Sequence, residues 1–366
     1  MHNEVIRSLP KLAYNCSMAF ERLPETTQTL YAELLEQVIH AEAEAAVLGA
    51  PHGTFVSKTI KGGTYWYLQR QEGDRKRQHY LGRESPALLS WMEEVRQART
   101  RSAADEAQRA RLGSMLAAGG AAVETAAIGK VLQLLADSGV FRLGGVLVGT
   151  QAFITYGNLL GVRFDRQSLR TQDVDLAQDR AIGIALSQET GPADVEGSLK
   201  GSGLGFFPIP DLNPSRPSTS FKIRGRELRV DFLAPLIGPE TGQPVFLPSL
   251  GVSAHPLRYL DYLIEGSVQA AVLSGAGILV NVPTPARFAL HKLWISARRP
   301  VSEQAKAAKD LRQAGSLLEV LLEDRPGDLT EAWEVLLQSP SAAKAVRAAL
   351  ERLDPELRER LERVVA

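Results

Sequence analysis

The stretch TQDVDLAQD, residues 171–179, constrains the fold more than any other part of the sequence because acidic and aliphatic residues alternate in it. Asp173 and Asp175 alternate with Val174 and Leu176. Successive side chains of a strand point to opposite faces, so both carboxylates share one face and both aliphatic side chains share the other. The pattern fits either a solvated outer strand or a strand that holds a divalent metal ion.

Composition limits the class of protein. The chain has 366 residues, enough for two or three domains, and 44% of them are hydrophobic. Lys and Arg together number 42, as do Asp and Glu, so any nucleic-acid surface must be local. The single cysteine, Cys16, excludes an internal disulfide framework and a Cys-rich zinc site. With no secretory signal pattern and no membrane-length apolar run, we expect a soluble cytoplasmic protein without membrane contact.

The first part of the chain contains helical segments around a β-rich segment. Apolar spacing predicts a helix over 26–48, and alternating β-branched and aromatic residues predict two or three hairpin-linked strands over 53–82. The composition of 85–138 predicts two or three helices, broken at Gly119 and Gly120. These long helices fit a spacer or a partner-binding face better than a catalytic unit.

The second part mixes strands and helices. A buried strand is predicted within 141–150, followed by a short helix, and the hairpin at 219–236 turns at Gly225. Pro and Gly residues over 235–256 suggest a linker, and from about residue 255 the pattern is helical apart from GILVNVP.

Three features occur in an order that suggests one site. The apolar run ending at Gly149-Thr150 leads into the predicted helix, and such a turn lets backbone N–H groups approach a phosphate. Asp173 and Asp175 follow on the next strand, and Asp231 lies on the later hairpin strand. Carboxylates on neighbouring strands beside a phosphate cradle predict paired Mg²⁺ ions and phosphoryl transfer.

The motifs VGTQAF, TQDVDLA and LRVDFLAP together resemble the DNA polymerase β-like nucleotidyltransferase superfamily. The likeness is greater to the bacterial branch with abortive-infection and toxin–antitoxin proteins, in which threonine or arginine commonly precedes the Asp-x-Asp motif, as Arg170 and Thr171 do here. RFALHKLW resembles the first tail helix of that branch, and AAKDLRQA resembles its later Lys-Asp pair. The resemblance covers about residues 125–320.

The resemblance implies roles for the matching residues. Asp173, Asp175 and Asp231 would hold Mg²⁺ or Mn²⁺, and Asp231 is also best placed to take the proton from the attacking hydroxyl. The implied nucleotide-binding residues are Gly149, Thr150, Arg170, Lys292 and Lys309. Asp310 would support the site.

These implications define a metal-dependent nucleotidyltransferase that moves an NMP from ATP or another NTP to an acceptor hydroxyl and releases pyrophosphate. RNA, including a tRNA 3′ end, is the preferred acceptor, with a protein hydroxyl or a small molecule as the alternatives. The branch implies a toxin–antitoxin or phage-defence role. The expected fold is α+β, a small mixed-sheet core with a helical C-terminal tail after a helix and a small antiparallel module. The expected domains are the module at 1–100, a helical connector at 101–140, the core at 141–250 and a helical domain at 251–366.

The N-terminal segment 58–83 has a separate interpretation. It contains seven basic residues against Glu72 and Asp74, and four aromatic residues interleave with them: Tyr65, Trp66, Tyr67 and Tyr80. Basic side chains neutralise phosphates and exposed aromatic rings stack on bases, so this basic aromatic module predicts contact with RNA or tRNA. Alternatively, its aromatic residues pack on helix 26–48 and its basic turn is solvated.

Several candidates have a structural alternative. Asp231 could end an edge strand with Arg229 as its salt-bridge partner, and Lys292 could form a surface ion pair. His291, next to Lys292, is more often a packed or capping residue at such a position than a catalytic one. For the whole chain, the alternatives are a catalytically inactive nucleic-acid- or partner-binding protein on the same fold, and a hydrolase that uses the same carboxylates.

Overall fold

A computed structural model describes residues 20–48, 54–72, 75–165 and 172–365 of the chain. Short mixed strands combine with helices, which confirms the α+β fold class, and the chain after residue 285 is helical, which confirms the C-terminal helical tail. Within the described ranges, no helix is both long enough and apolar enough to cross a membrane.

The N-terminal part of the chain contains three helices, and a small sheet lies in sequence between the first two. Its elements are β1 (Phe20–Arg22), α1 (Glu25–Leu48), β2 (Thr54–Ile60), β3 (Gly63–Glu72), β4 (Arg75–Arg83), α2 (Pro86–Ala118) and α3 (Ala126–Asp137). β2, β3 and β4 pair in order as an antiparallel meander, and α1 packs on α2. The Ser85 hydroxyl caps α2 by accepting a hydrogen bond from the Leu88 N–H.

The middle of the chain builds the central sheet. Its elements are β5 (Val146–Val148), α4 (Gly149–Leu159), β6 (Val162–Phe164), β7 (Asp173–Ala177), α5 (Arg180–Thr190), α6 (Val195–Gly201), β8 (Phe206–Pro208), β9 (Ser220–Ile223), β10 (Arg229–Pro235), β11 (Val245–Leu247) and β12 (Val252–Leu257). The main path of the sheet runs β11-β12-β10-β7-β5. β7 and β12 flank β10 in parallel, whereas β9 pairs antiparallel with its first half.

The last part of the chain adds a hairpin and a set of packed helices. These elements are α7 (Leu260–Ile264), β13 (Val268–Val272), β14 (Ile278–Val282), α8 (Pro285–Arg298), α9 (Gln304–Asp324), α10 (Pro326–Leu337), α11 (Pro340–Leu350) and α12 (Pro355–Val365). α8 packs against α9, α10 and α11, and its buried side chains join the sheet and these helices in one large apolar core.

A second, smaller core fixes the N-terminal helices to the hairpin of β13 and β14. Leu34 and Val38 of α1 and Leu116 of α2 pack there with Leu273. The buried Tyr31 hydroxyl donates to the carbonyl of Ala271 and accepts from its N–H, at 3.1 Å each. α1 therefore satisfies the backbone of β13 at Ala271, while β13 pairs along its length with β14.

Most predicted elements are present, with one region of difference. The helix at 26–48, the strands at 53–82, the helix break at Gly119-Gly120 and the hairpin turning at Gly225 are confirmed. The expected linker at 235–256 instead contains β11 and β12, which extend the central sheet. β13 was also missed, because Ala270, Ala271 and Val272 are buried together, so the strand lacks the polar–apolar alternation that marks a half-exposed strand.

Tyr31→Phe should lower the free energy of unfolding by about 1–3 kcal/mol, because it leaves a buried N–H and a buried carbonyl of Ala271 without partners. Urea unfolding measures the change. Tyr80→Phe, at a 59% exposed ring, is the matched control and should change stability little. Equal effects of the two substitutions would contradict the anchoring role of Tyr31.

Candidate active site

A cleft with a volume of about 640 Å³ opens between the central sheet and α8. The sheet side contributes Gly149, Asp175 and Asp231, and α8 contributes His291 and Lys292. Other lining residues extend the cleft along β12 and α8: His255, Leu257, Trp294, Ile295, Arg298 and Arg299. The cleft therefore joins the strand motifs of the sequence to the helical tail.

The carboxylates of Asp175 on β7 and Asp231 on β10 lie side by side at this cleft. The parallel register puts Asp231 opposite Asp175, while Val174 and Leu176 point into the core. Asp173 lies two residues before Asp175 on the same face, and its side chain is 49% exposed. Burial, followed by the charges of Asp231 and Asp173, raises the pKa of Asp175 to about 6. The three carboxylates thus repel one another across a short stretch of sheet.

Gly149 leaves room for the Asp175 carboxylate. It ends the turn from β5 into α4 with φ of +66°, and a Cβ at this position would lie 2.2 Å from Asp175 Oδ2. α4 begins at Gly149 without a side-chain cap, so its first N–H groups have no capping partner. Such a helix start favours a phosphate or another anion in the adjoining cleft.

Two neighbours hold Asp231. The Arg229 guanidinium lies 2.7 Å from Asp231 Oδ2 and 3.8 Å from Asp173 Oδ1, and the Ser220 hydroxyl donates to Asp231 Oδ1. Arg229 is the salt-bridge partner that the sequence suggested for Asp231. Asp231 nevertheless lies in the interior of the sheet, between β7 and β9, rather than on an edge strand.

The carboxylates offer the oxygen donors that a divalent ion needs, although Arg229 forms ion pairs with two of them. Among the described residues, no three His, Cys, Asp or Glu side chains form a group that could hold a metal ion as they stand. Hard oxygen donors on adjacent strands are nevertheless what Mg²⁺ and Mn²⁺ prefer. Burial, and then the charges of Asp231 and Asp173, raise the pKa of Asp175 by more than Lys292 and Arg229 lower it, and a divalent ion would add positive charge there.

Lys292 is part of a buried ionic network in the cleft wall. Its Nζ donates to Asp310 Oδ1 at 2.7 Å, and Arg299 Nε donates to Asp310 Oδ2 at 3.0 Å. Arg299 also pairs with Glu303 at 2.8 Å. The pair of Lys292 with Asp310 is buried, so the expected alternative of a surface ion pair is not what the structure contains.

Among the remaining candidates, Thr150 and Lys309 do not line the cleft, whereas His291 does. Thr150 is buried in the first turn of α4, and Lys309 is half-buried near Lys292, so that burial and then the Lys292 charge lower the pKa of Lys309. Burial, and next the Lys292 ammonium, also lower the pKa of His291, which keeps its cleft-lining imidazole neutral at pH 7. Arg170 lies outside the described residues.

Ser220, Arg299 and Trp294 were not predicted as site residues. Ser220 could have been found from the hairpin, because a turn at Gly225 brings it opposite Asp231. Arg299 follows Lys292 by seven residues but lies just after the end of α8, in extended backbone, so helical spacing alone did not indicate it. Nothing in the sequence indicated that Trp294 belongs to a site, because an aromatic residue in a helix is most often a core residue.

Comparison with known proteins assigns the family. A family described as nucleotidyltransferase matches residues 126–338, well over half of the chain, and this range includes the cleft and every described candidate residue. The chain therefore belongs to the nucleotidyltransferase family, and it is an enzyme of that class. A second family, described as a domain of unknown function (DUF6788), matches residues 21–97. No curated protein and no solved structure matches the chain.

Asp175→Asn should stabilise the protein at pH 8. The pKa of Asp175 in the folded state, about 6, lies above the ordinary value of 3.8, so ionisation above pH 6 costs stability. The gain from Asn should reach about 1–3 kcal/mol at pH 8 and vanish as the pH falls through 6 towards 4. Urea unfolding across this pH range measures it, with Asp105→Asn on the exposed part of α2 as the control. A gain that does not change with pH would contradict this explanation.

Gly149→Ala should destabilise the protein more than Gly225→Ala does. Both glycines have positive φ, at +66° and +74°, and each substitution carries a backbone cost of about 1–2 kcal/mol. Only Gly149 has the Asp175 carboxylate in the space of the new Cβ, whereas nothing lies within 4 Å at Gly225. Urea unfolding compares the two variants, and equal losses would show that the close approach of Asp175 to α4 is unimportant.

Proposed function

We propose that this nucleotidyltransferase is metal-dependent and transfers an NMP from an NTP to a hydroxyl group of RNA. The observation that carries the proposal is the pair of Asp175 and Asp231, side by side on parallel strands at the cleft and next to the uncapped start of α4. A triphosphate in the cleft would meet helix N–H groups on one side and the Lys292 wall on the other.

In the proposed reaction, the oxygen of the acceptor hydroxyl attacks the α-phosphorus of the NTP. The new O–P bond forms as the bond from the α-phosphorus to the bridging oxygen breaks, and pyrophosphate leaves. The proton of the hydroxyl passes to Asp231 Oδ1 or Oδ2. Ser220 holds this carboxylate in place and so sets the direction in which it faces the acceptor.

Each remaining residue has a role in binding the nucleotide. The N–H groups of Gly149 and Thr150 at the start of α4 would cradle phosphate oxygens, and Lys292 would place positive charge beside them. Lys309 and Arg170 are proposed to add positive charge around the triphosphate. Asp310 and Arg299 hold Lys292 in the cleft wall.

Asp173, Asp175 and Asp231 are the residues that would hold Mg²⁺ or Mn²⁺. The ion would supply charge neutralisation at the phosphates and activation of the attacking oxygen. Since Arg229 contacts two of the three carboxylates, its guanidinium has to give way when the ion binds.

RNA is the proposed acceptor because the segment 58–83 is basic and aromatic. ATP is one proposed nucleotide donor, and the cytoplasm is the proposed location. The resemblance to the abortive-infection and toxin–antitoxin branch extends the proposal to a role in phage defence. In that role, the modification of RNA would be what acts against the phage.

One observation favours a second candidate, a binding protein on an inactive transferase fold. Arg229 neutralises Asp231 and approaches Asp173, as a structural salt bridge would. The two candidates differ in metal binding, since a site closed by Arg229 gains nothing from Mg²⁺.

Transfer should depend on the β7 carboxylates. Purified protein is incubated with Mg²⁺, each α-³²P-labelled NTP in turn and total bacterial RNA. We expect the native protein to transfer label to RNA. The rate of transfer should fall at least about a hundredfold in the Asp173→Asn/Asp175→Asn variant, because both carboxylates contribute to stabilising the charge of the transition state.

Thermal unfolding supplies a second measurement. Mg²⁺ should raise the midpoint for the native chain and not for the double variant. Label in RNA that survives the substitutions would refute the assignment of these carboxylates. No label together with no effect of Mg²⁺ would favour the inactive binding protein.

A further inference from the structure

The meander of β2, β3 and β4 has two chemically different faces. Pairing in the sheet aligns Lys58 with Tyr65 and Tyr67 with Tyr80, so these residues alternate onto one face. Phe55, Trp66 and Leu68 alternate onto the other face. The four aromatic residues of this segment, grouped together by the sequence, are thus divided between the faces.

The face with Phe55 packs on α2. Phe55 contacts Trp91 edge-to-face at 5.7 Å, and the guanidinium groups of Arg96 and Arg99 lie over the Phe55 ring. Leu68 is buried at 3% exposure. Trp66 donates its indole N–H to Glu84. This face has its partners within the chain.

The opposite face, which we call the tyrosine face, is turned to solvent. The rings of Tyr65 and Tyr67 lie 6.4 Å and 5.4 Å from the ring of Tyr80, which is 59% exposed. The Lys58 ammonium lies 4.8 Å above the Tyr67 ring. Three rings and a cation therefore form one connected surface.

The charge of the tyrosine face is positive. Lys58 and Arg83 are exposed beside the rings, and Lys76 is exposed on the same face farther along β4. The segment as a whole has seven basic residues against Glu72 and Asp74. Among the residues whose side chains the structure describes, the tyrosine face carries cations and no carboxylate.

We propose that the tyrosine face binds single-stranded RNA, with phosphates on Lys58, Lys76 and Arg83 and bases stacked on the tyrosine rings. Stacking on a side chain requires an unpaired base, because bases within a duplex already stack on one another. A protein partner would leave the uniform positive charge of the face uncompensated unless it were acidic. A nucleic-acid strand supplies both the aromatic planes and the negative charge.

This inference deepens the proposed function, since it assigns to the RNA acceptor a contact outside the catalytic cleft. None of the residues of the tyrosine face lines that cleft. The RNA is therefore held at one place and reacts at another, so the transferase gains acceptor affinity without using the cleft. Binding to the tyrosine face needs neither NTP nor metal, and can be measured apart from transfer.

The test measures binding of the full-length protein to a fluorescein-labelled single-stranded RNA of about 20 nucleotides, by fluorescence anisotropy without NTP or Mg²⁺. Tyr67→Ala/Tyr80→Ala should weaken binding at least about tenfold, because each stacked base contributes strongly to affinity. Lys58→Glu should weaken binding about tenfold or more and reduce its salt dependence.

Two control substitutions lie on the other face. Thr59→Glu introduces the same carboxylate one residue from Lys58, and His79→Ala truncates the exposed neighbour of Tyr80. Both should leave binding within about twofold of the native value. Circular dichroism melting confirms that all four variants fold. A loss that is equal on both faces, or absent on both, would overturn the proposal.

Further arms of the test separate the ligand classes and the two proposals. Duplex RNA that binds as tightly as the single strand would overturn the stacking assignment, and single-stranded DNA of the same sequence that binds more tightly than RNA would overturn the choice of RNA. The Asp173→Asn/Asp175→Asn variant should bind RNA as the native protein does. Failure of transfer with retained, face-specific binding would refute the proposed reaction alone.

Discussion

The repulsion between carboxylates on β7 and β10 is the constraint on which the site depends. Parallel pairing puts Asp175 next to Asp231, and burial prevents water from screening their charges. Gly149 gives Asp175 space on one side, and Arg229 and Lys292 supply partial compensation from β10 and α8. The sheet can keep this arrangement because the helical tail covers the cleft and brings a cation to it.

Asp310 links that cation to the rest of the tail. It accepts hydrogen bonds from Lys292 and Arg299, and so joins α8 to α9 inside the cleft wall. Removing one member of such a buried pair leaves an uncompensated charge, which costs more than the intact pair contributes. The position of Lys292 relative to Asp175 is therefore set by two helices rather than by a flexible surface side chain.

The strands that carry the carboxylates could be predicted because the alternation of polar and apolar residues along a strand is visible in the sequence itself. Asp173, Asp175 and Asp231 could be assigned to strand faces, and Lys292 could be placed on the first tail helix. What could not be read was which residue pairs with which across distant elements. The pairing of Lys292 with Asp310, the interior position of Asp231 and the burial of β13 all depend on packing between segments far apart in the chain.

α2 is a continuous helix of 33 residues that packs on the meander near its start and on the second core near its end. Its middle, residues 100–108, is exposed throughout. An α-helix turns about 100° and rises about 1.5 Å per residue. The number of residues in this stretch therefore sets the angle about the axis of α2 between the meander and the second core. In related chains, a difference of one residue here would rotate the tyrosine face about the axis of α2. A difference of seven residues would change the distance of that face from the second core and nearly keep its orientation.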